Sequence, residues 1–408
     1  MRQLTIACAI ILVVFNSWGQ LLPTYYDTVP EGHQIVLSGN GELSATSLQR
    51  DLFSKLYRGG FITDDIKDNS LAKHGRVNRI GFEGRAELQY SNFNASLFGK
   101  EDWGYTIKTG AYYFGGALYS RDAFELGFYG NDRFVGDTAD LSGLDLSFTA
   151  FQKVGFGILS KKNRMSVTMN VYNIQSRING DFRGLEVQQS ESGDTVRLLY
   201  DGEFTTSTSA NFNQGIGLGF DVDYFMPFDW GNGKRAFIHF SLQNLGVAHL
   251  YEDQKEYRAD DMFTFSGLRF NEIVGDDAII NDSLDVLDTL GISSGIKNST
   301  FVLPGYIQVA KIVDGMQEQK VQSFFGVRLY PTLIYSPLVF AGINYQPVDK
   351  LDLGASLSYG GFTGFRGGVY ASGRFGPMSM GLGTENLIGL VSSKGYGQSL
   401  YLRLSCEF

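Results

Sequence analysis

Cysteine is nearly absent from this 408-residue chain, which contains only Cys8 and Cys406. Cys8 falls within an N-terminal stretch that we predict to be removed, so the mature chain keeps one cysteine and has no internal disulfide. Charged residues are scarce at 19 %, against roughly 25 % in a typical soluble domain. After the N-terminus, no apolar run reaches the about 20 residues of a membrane-spanning helix. The net charge of -9 speaks against a nucleic-acid partner.

Glycine and two aromatic residue types are abundant instead. The chain has 51 Gly, 32 Phe and 22 Tyr, against 3 Trp and 8 Pro. Hydrophobic residues make up 43 %, which excludes a disordered chain. This composition, with its mild acidic excess, is typical of a transmembrane β-barrel.

Residues 1–19 have the pattern of a secretory signal peptide. Arg2 supplies a positive charge, residues 4–15 form an apolar run, and residues 17–19 place small side chains before a cut at Gln20. An uncleaved anchor helix is the alternative, but this apolar run falls short of the about 20 residues that cross a bilayer. We therefore predict export to the outer membrane of a Gram-negative cell.

The end of the chain alternates between apolar and polar residues, as a strand in a barrel wall does. One face would meet lipid and the other the interior, because successive side chains of a strand point in opposite directions. The apolar face comprises Leu400, Leu402, Leu404, Cys406 and Phe408, and the polar face Tyr401, Arg403, Ser405 and Glu407. The final Phe408 resembles the terminal aromatic residue by which the barrel assembly machinery recognises its substrates, so we predict that machinery as a partner during biogenesis.

The same alternation recurs over residues 76–408 and predicts an all-β fold, a closed antiparallel transmembrane barrel of about 14 strands. The strands are predicted to begin near residues 78, 93, 104, 144, 165, 212, 236, 303, 320, 338, 350, 364, 378 and 396. Short connections alternate with long ones at 120–143, 178–211 and 249–302, which matches the short periplasmic turns and long outer loops of such barrels. A soluble β-sandwich also alternates, but its turns recur every about 8–12 residues, more closely than here.

Residues 20–75 precede the first predicted strand, and we expect them to form an N-terminal plug or a segment on the periplasmic rim. Apolar residues at helical spacing over residues 48–57 predict a helix, with Ser47 as its cap and residues 59–60 as its stop. The apolar face of this helix needs a partner, which the barrel mouth would provide.

The polar faces of the predicted strands carry charges of both signs. Charges at membrane depth are costly unless they are paired or hydrated, so mixed signs predict a self-neutralising network and a closed or plugged lumen. The predicted lumen-facing network comprises Arg79, Glu83, Arg85, Glu87, Asp221, Asp223, His239, Arg328, Arg366, Arg374, Arg403 and Glu407.

No catalytic or metal-binding motif is found in the sequence. His239 and Ser241 share a strand face, which leaves a phospholipase-like hydrolase as a remote alternative, although the H-S-N-G string is missing. The acidic loop over residues 251–300 lacks the D-x-D-x-D-G order of a calcium site, so a solvated loop is favoured. We therefore expect no enzymatic activity, no cofactor and no metal.

Three short motifs carry a resemblance to known barrels. Residues 241–246 (Ser-Leu-Gln-Asn-Leu-Gly) are similar to an N-L-G strand motif, residues 129–136 to a G-N-x-x-F-x-G loop, and residues 263–267 follow the first motif. Together with the overall layout and the Gln20 start, the chain resembles the long-chain fatty-acid transporter (FadL-like) superfamily. Within that superfamily, its sequence most resembles Bacteroidota barrels such as the PorV-like and PorP/SprF-like proteins of type IX secretion and related uncharacterised families.

Two main functions remain open from the sequence. The N-P-A string typical of fatty-acid transporters is missing, which favours a non-enzymatic structural or partner subunit of an outer-membrane secretion, assembly or surface-display machine. That function predicts a stable outer-membrane protein or lipoprotein partner, with outer-membrane lipid around the wall. The alternative is a FadL-like transporter of a small hydrophobic solute, which predicts a lumen ligand and a lateral opening in the wall.

Overall fold

The computed structural model describes residues 32–161, 165–207, 212–231, 235–266, 291–313 and 319–408. The predicted signal peptide and residues 267–290 of the acidic loop lie outside the described residues.

The described residues contain seventeen strands in one antiparallel sheet. They are β1 (His33–Ala45), β2 (Val77–Asn92), β3 (Trp103–Ser120), β4 (Thr138–Asp140), β5 (Leu144–Ser160), β6 (Met165–Gln189), β7 (Val196–Ser207), β8 (Gly215–Asp229), β9 (Arg235–Phe265), β10 (Ser293–Val302), β11 (Tyr306–Ile312), β12 (Val321–Leu329), β13 (Ser336–Val348), β14 (Leu351–Gly361), β15 (Phe365–Phe375), β16 (Met378–Thr384) and β17 (Gly397–Glu407).

The sheet closes on itself because β1 pairs with β2 on one side and with β17 on the other. Three pairs of consecutive strands share one position in the wall: β4 precedes β5 along β6, β7 precedes β8 between β6 and β9, and β10 precedes β11 along β9. Counting each of these pairs as one wall strand, the described residues form a closed barrel of 14 strands. This confirms the predicted fold class.

One of the strand positions predicted from the sequence is wrong, and one strand was not predicted. The first wall strand is β1, which lies inside the segment predicted to be a plug or rim, so the wall begins at His33 and not near residue 76. No strand begins near residue 93, because residues 93–102 turn the chain from β2 into β3. One missed strand and one false strand leave the predicted number unchanged.

The two ends of the barrel differ in their connections. The end that carries His33 and Phe408, here called the terminal end, has tight turns such as those between β13 and β14 and between β15 and β16. The opposite end, here called the loop end, carries every described helix. The predicted alternation of short and long connections is therefore seen in the structure, although parts of the predicted loops 178–211 and 249–302 are strands that extend the wall.

The outer face of the wall is apolar. Along β14, Leu353 and Leu357 are exposed on the outer face. Asp352, Ser356 and Ser358 occupy the alternate positions and are buried in the lumen. Exposed apolar side chains form a continuous belt on neighbouring strands, which a water-soluble protein would not tolerate. An apolar outer face on a closed sheet is the arrangement of a transmembrane barrel, since all backbone groups of the wall are paired within the sheet.

Four helices lie at the loop end: α1 (Arg50–Arg58), α2 (Asp64–Leu71), α3 (Arg121–Tyr129) and α4 (Leu387–Val391). The predicted helix exists as α1, but it follows the first described strand and lies at the loop end, not on the rim that carries His33 and Phe408. Ser47 is not its cap; Ser47 Oγ lies 3.1 Å from the Tyr119 hydroxyl. None of the helices in the described ranges is long and apolar enough to cross a membrane.

The first three helices pack together into a helical cap over the barrel mouth. The buried residues of this cap are Ala45, Leu48, Leu52, Phe53, Leu71 and Phe124. They come from β1, α1, α2, α3 and the segment between β1 and α1, so the cap is built from the first two connections at the loop end.

Aromatic side chains fill the middle of the lumen and explain part of the glycine content. This aromatic core includes Phe114, Phe225, Phe237, Phe324, Tyr330, Tyr335, Phe340 and Phe362. The ring of Phe362 lies over Gly81, where an added Cβ would come within 2.0 Å of Cδ1. Tyr370 covers Gly354 in the same way, with 2.0 Å to Cε1. Glycine at these positions lets rings lie flat against the inner wall.

Candidate functional site in the barrel lumen

A buried group of five charges, here called the lysine cluster, joins β2, β3, β5 and β8. Its members are Glu87, Lys108, Lys153, Asp221 and Asp223. Lys153 Nζ lies 2.7 Å from Asp221 Oδ2 and 2.9 Å from Glu87 Oε2, and the lysine is 1 % exposed. Lys108 Nζ lies 3.6 Å from Asp221 Oδ2 and 3.8 Å from Asp223 Oδ2. Opposite charges in contact offset the cost of taking each ion out of water.

Asp221 also stabilises an irregularity in the neighbouring strand. The pairing of β8 with β9 shifts at Asp221, so Gln243 and Asn244 both lie opposite it. Asn244 has a φ of 55°, and its backbone N–H donates to Asp221 Oδ1 at 2.8 Å. Lys153 Nζ donates to Asn244 Oδ1 at 3.1 Å. This β-bulge switches which side chains of β9 face the lumen, so the lysine cluster determines the course of the strand.

The carboxylate of Asp223 contacts three other side chains in the lumen. His239 Nε2 lies 3.0 Å from Asp223 Oδ1, and Ser241 Oγ donates to the same oxygen at 2.9 Å. Gln243 Nε2 donates to Oδ2 at 2.9 Å. His239 and Ser241 thus both bind Asp223 and not each other, which is not the nucleophile–base contact of a hydrolase.

A second charged group lies on the opposite wall. Arg366, which is 1 % exposed, donates to a carboxylate oxygen of Glu42 and to Ser358 Oγ at 3.0 Å. Its Nη2 lies 3.6 Å from Glu385 Oε2. This group joins β1, β14 and β15 to the connection that follows β16.

A third group of charged residues contacts tyrosines beside the aromatic core. Tyr330 donates its hydroxyl to Glu83 Oε2 at 2.9 Å, and Arg85 Nη1 donates to the Tyr306 hydroxyl at 3.2 Å. The guanidinium of Arg328 lies 4.5 Å from the centre of the Tyr306 ring. Mixed charges and phenol groups therefore fill the lumen at this level.

The other residues predicted for the lumen network lie apart from these groups. Arg79 donates to a backbone carbonyl near the loop end. Arg374, Arg403 and Glu407 line a cavity near the terminal end. Phe408, the predicted assembly signal, is exposed at the terminal end. The structure therefore brings Glu87, Asp221, Asp223 and His239 into one site, whereas Arg79 and Arg366 lie elsewhere.

Both lysines of the lysine cluster and both carboxylates that bind Arg366 were not predicted from the sequence. A signal was present for Lys153, because Val154 and Phe156 alternate with it and are exposed on the outer face. Glu42 belongs to the missed strand β1, and Glu385 lies beyond the end of β16, so strand alternation did not reach either.

The inner wall is nearly bare along one row beside the lysine cluster. Gly155, Asn170, Gly219 and Gly246 pair in register across β5, β6, β8 and β9. This set is here called the glycine row. Asn170 is its one side chain, and its Nδ2 donates to the Tyr172 hydroxyl at 3.2 Å. The Asn170 side chain also covers Gly155, where an added Cβ would lie 2.1 Å from Asn170 Oδ1. At Gly219 and Gly246 the wall is little thicker than its backbone.

The outer side of the glycine row is an apolar pit of about 510 Å³. Its lining includes the exposed residues Met169, Leu218, Phe220 and Val247. On the inner side lies a second apolar group, the inner apolar cluster, which comprises Tyr112, Phe151, Tyr172, Ile174, Ala248, Leu250, Phe301 and Leu303. Apolar surfaces therefore approach the thin wall from both sides.

A polar cavity of about 420 Å³ opens in the terminal half of the lumen. Arg85, Lys108, His239 and Arg328 line its upper part, and Arg403 lines its side. Within the parts of the chain that the structure describes, no cluster of three or more His, Cys, Asp or Glu has the arrangement of a metal site.

One histidine of the helical cap has a shifted pKa. His74 Nδ1 lies 2.8 Å from the Ser70 carbonyl oxygen, and its Nε2 lies 3.2 Å from the Tyr119 hydroxyl. The ring also lies 4.1 Å from that of Phe124. Burial lowers the pKa of His74 from its ordinary value, because a charged ring would lose its hydration there.

The fold and the lumen define a transmembrane β-barrel whose interior is filled largely by its own side chains. Residues 158–385 match the family described as "Family of unknown function (DUF5723)", which is more than half of the chain. The protein belongs to this family. No curated protein matches the sequence.

Several solved barrels are similar in structure. A TodX monoaromatic hydrocarbon channel mutant has 9% sequence identity and a TM-score of 0.42, covering 96% of this chain and 97% of the other. The toluene transporter TbuX of Ralstonia pickettii has 10% identity and a TM-score of 0.39, covering 97% of each chain. A FadL homologue of Pseudomonas aeruginosa has 10% identity and a TM-score of 0.41, covering 92% and 90%. At identities this low, the likenesses leave open what this chain binds.

Proposed function

We propose that this protein is a non-enzymatic outer-membrane transporter that passes small hydrophobic solutes laterally through its wall. The observation that carries the proposal is the glycine row, a thin strip of wall with apolar surfaces on both sides. An apolar solute moves between apolar surfaces without the cost of hydration, so this strip is the favoured crossing point.

The lumen favours a lateral route over an axial one. The helical cap covers the loop end, and the aromatic core fills the middle of the barrel. The inner apolar cluster lies beside the glycine row. Its members Tyr172 and Ala248 are the next inward-facing residues after Asn170 on β6 and Gly246 on β9. A solute held there would reach the membrane through about one layer of backbone.

Uptake of labelled toluene by cells that carry the barrel in their outer membrane tests the proposal. Met169→Trp and Leu218→Trp fill the pit from the lipid side, at positions that are 76% and 62% exposed. Both variants should fold and should lower toluene uptake several-fold.

Leu357→Trp is the matched control, since Leu357 is 56% exposed on β14 and lies outside the pit. It should leave uptake unchanged. Uptake no faster than in cells without the barrel, or equal loss in all three variants, would contradict lateral transport.

A structural or partner subunit of a secretion, assembly or surface-display machine is the second candidate. The loop end supports it, because Phe61, Leu333 and Val391 expose apolar side chains there. Such side chains favour contact with another protein or a lipoprotein.

Purification of the tagged protein from its own outer membrane in mild detergent, followed by mass spectrometry, tests this candidate. A stoichiometric partner lost in Phe61→Ser would support it. A barrel that purifies alone, combined with toluene uptake that depends on the pit, would leave the transporter as the function.

A further inference from the structure

The polar cavity near the terminal end exists because several wall strands place small residues on their inner face. Ser38, Ser372, Ser379, Gly381 and Ser405 line the cavity on β1, β15, β16 and β17. Larger side chains fill the lumen above it, in the aromatic core. A volume of about 420 Å³ lies within the range of small-molecule sites, which is about 300–1,000 Å³.

The charge of this cavity is opposite to that of the whole chain. Its described lining has six Lys or Arg residues and four Asp or Glu residues, whereas the chain carries a net charge of -9. Low-dielectric walls concentrate such an excess, so the cavity attracts anions.

Donors bind the carboxylates of the cavity. Asp223 accepts from Ser241 and Gln243, as described above, and Asp352 Oδ1 accepts from Asn344 Nδ2 at 3.1 Å. Glu407 Oε1 accepts from Gln34 Nε2 at 3.1 Å, and the fourth carboxylate, Glu87, pairs with Lys153 at 2.9 Å. These anions therefore do not need the arginines of the cavity as partners.

Two guanidinium groups that line the cavity have N–H groups available for further hydrogen bonds. Arg85 binds the Tyr306 hydroxyl through Nη1, but its buried Nε has no hydrogen-bond partner in the described residues. Arg403 has no carboxylate oxygen within 4.0 Å among the same residues. A buried donor without a partner is costly, and an oxyanion satisfies several N–H groups of a guanidinium at once.

We propose that the polar cavity binds a small oxyanion, either a carboxylate or a phosphate, between Arg85 and Arg403. Lys108 and Arg328 lie in the same lining and add positive charge. The site goes beyond the proposed transport of hydrophobic solutes, because it is polar and lies at another level of the lumen. Its failure would leave the toluene experiment unaffected.

Isothermal titration of the purified full-length barrel in detergent, with inorganic phosphate and with succinate as separate probes, tests the proposal. At least one probe should bind saturably, with one site per barrel. Added sodium chloride should weaken binding, since chloride screens and competes. Binding of phosphate alone would indicate a phosphorylated ligand, and binding of succinate alone a carboxylate ligand.

Arg403→Gln should weaken binding at least tenfold. Arg183→Gln is the matched control, because Arg183 is exposed at the loop end and pairs there with Asp201 at 2.6 Å. Ser372→Leu is a second variant, which fills the cavity without changing its charge and should also abolish binding. It provides the test if Arg403→Gln fails to fold. Absence of saturable binding for both probes, or unchanged binding in the folded Arg403→Gln and Ser372→Leu variants, would overturn the proposal.

Discussion

At the scale of single residues, the stability of the lumen depends on pairing within the lysine cluster. Lys153 faces Asp221 and Glu87 with almost no contact to solvent. Water therefore cannot replace a lost partner, and removal of one ion leaves the other buried and unpaired.

Lys153→Met should lower the free energy of unfolding by about 3–5 kcal/mol, the usual cost of breaking a buried ion pair. The double variant Lys153→Met with Asp221→Asn should cost less than the two single changes added together, because each removes the unpaired charge left by the other. Unfolding in urea from detergent micelles, monitored by heat-modifiable migration on gels, measures both. A loss below about 1 kcal/mol for Lys153→Met would contradict the role of this pair.

The helical cap should loosen in acid because of His74. Its folded-state pKa is lowered by burial, so the folded cap binds the proton less readily than the unfolded segment does. The contribution of His74 is therefore fully present above the ordinary value of 6.5 and is lost as the pH falls below it.

Hydrogen exchange of α1 and α2 should accordingly be faster at pH 5 than at pH 7.5. His74→Gln should remove most of this difference, whereas exchange in the wall strands should not change. Equal pH dependence in the variant and the natural protein would show that another group controls the cap.

At the scale of elements, alternation predicted most wall strands but missed β1. Its outward positions include Gly39 and Gly41, which pair with Leu402 and Leu400 of β17. Two glycines in place of apolar side chains interrupt the pattern on which the prediction depends. The β-bulge at Asn244 was beyond prediction for a different reason, because it depends on Asp221 and Lys153 from other strands.

A single cysteine substitution tests the position of β1. Ile35 lies directly opposite Cys406 in the pairing of β1 with β17. Facing residues of antiparallel strands have Cα atoms about 4.5–5.5 Å apart, a separation that suits a disulfide. Ile35→Cys should therefore form an intramolecular disulfide under mild oxidation, visible as a mobility change on a non-reducing gel.

Leu37→Cys provides the control for this cross-link, because its partner on β17 is Leu404. It should form no disulfide with Cys406. Cross-linking of equal extent in both variants would contradict the register of the seam.

At the scale of the whole molecule, two groups of buried side chains lie along the axis of the barrel. The helical cap covers the loop end and the aromatic core fills the middle, whereas the charged groups lie along the wall around them. The sequence predicted a closed lumen from the mixed signs of its inward charges. It gave no indication of the aromatic core, since aromatic residues on distant strands meet only once the barrel has closed.

The purified barrel should give no large, stable conductance in planar bilayers. Ions would have to pass the buried aromatic side chains of the core, which leave little room for hydrated ions if they are packed like a protein interior. Single-channel recording at moderate voltage measures this directly. Steady openings comparable to those of a general porin would contradict the axial closure.

The seam between β1 and β17 also has a consequence for the order in which the molecule assembles. Its partners, such as Gln34 and Glu407, are separated by 373 residues. A nascent chain that lacks the last strand therefore exposes two unpaired edges, each ready to join another strand. The first wall strand to be synthesised must stay available until the last one arrives, so biogenesis depends on keeping β1 from pairing with other chains during that interval.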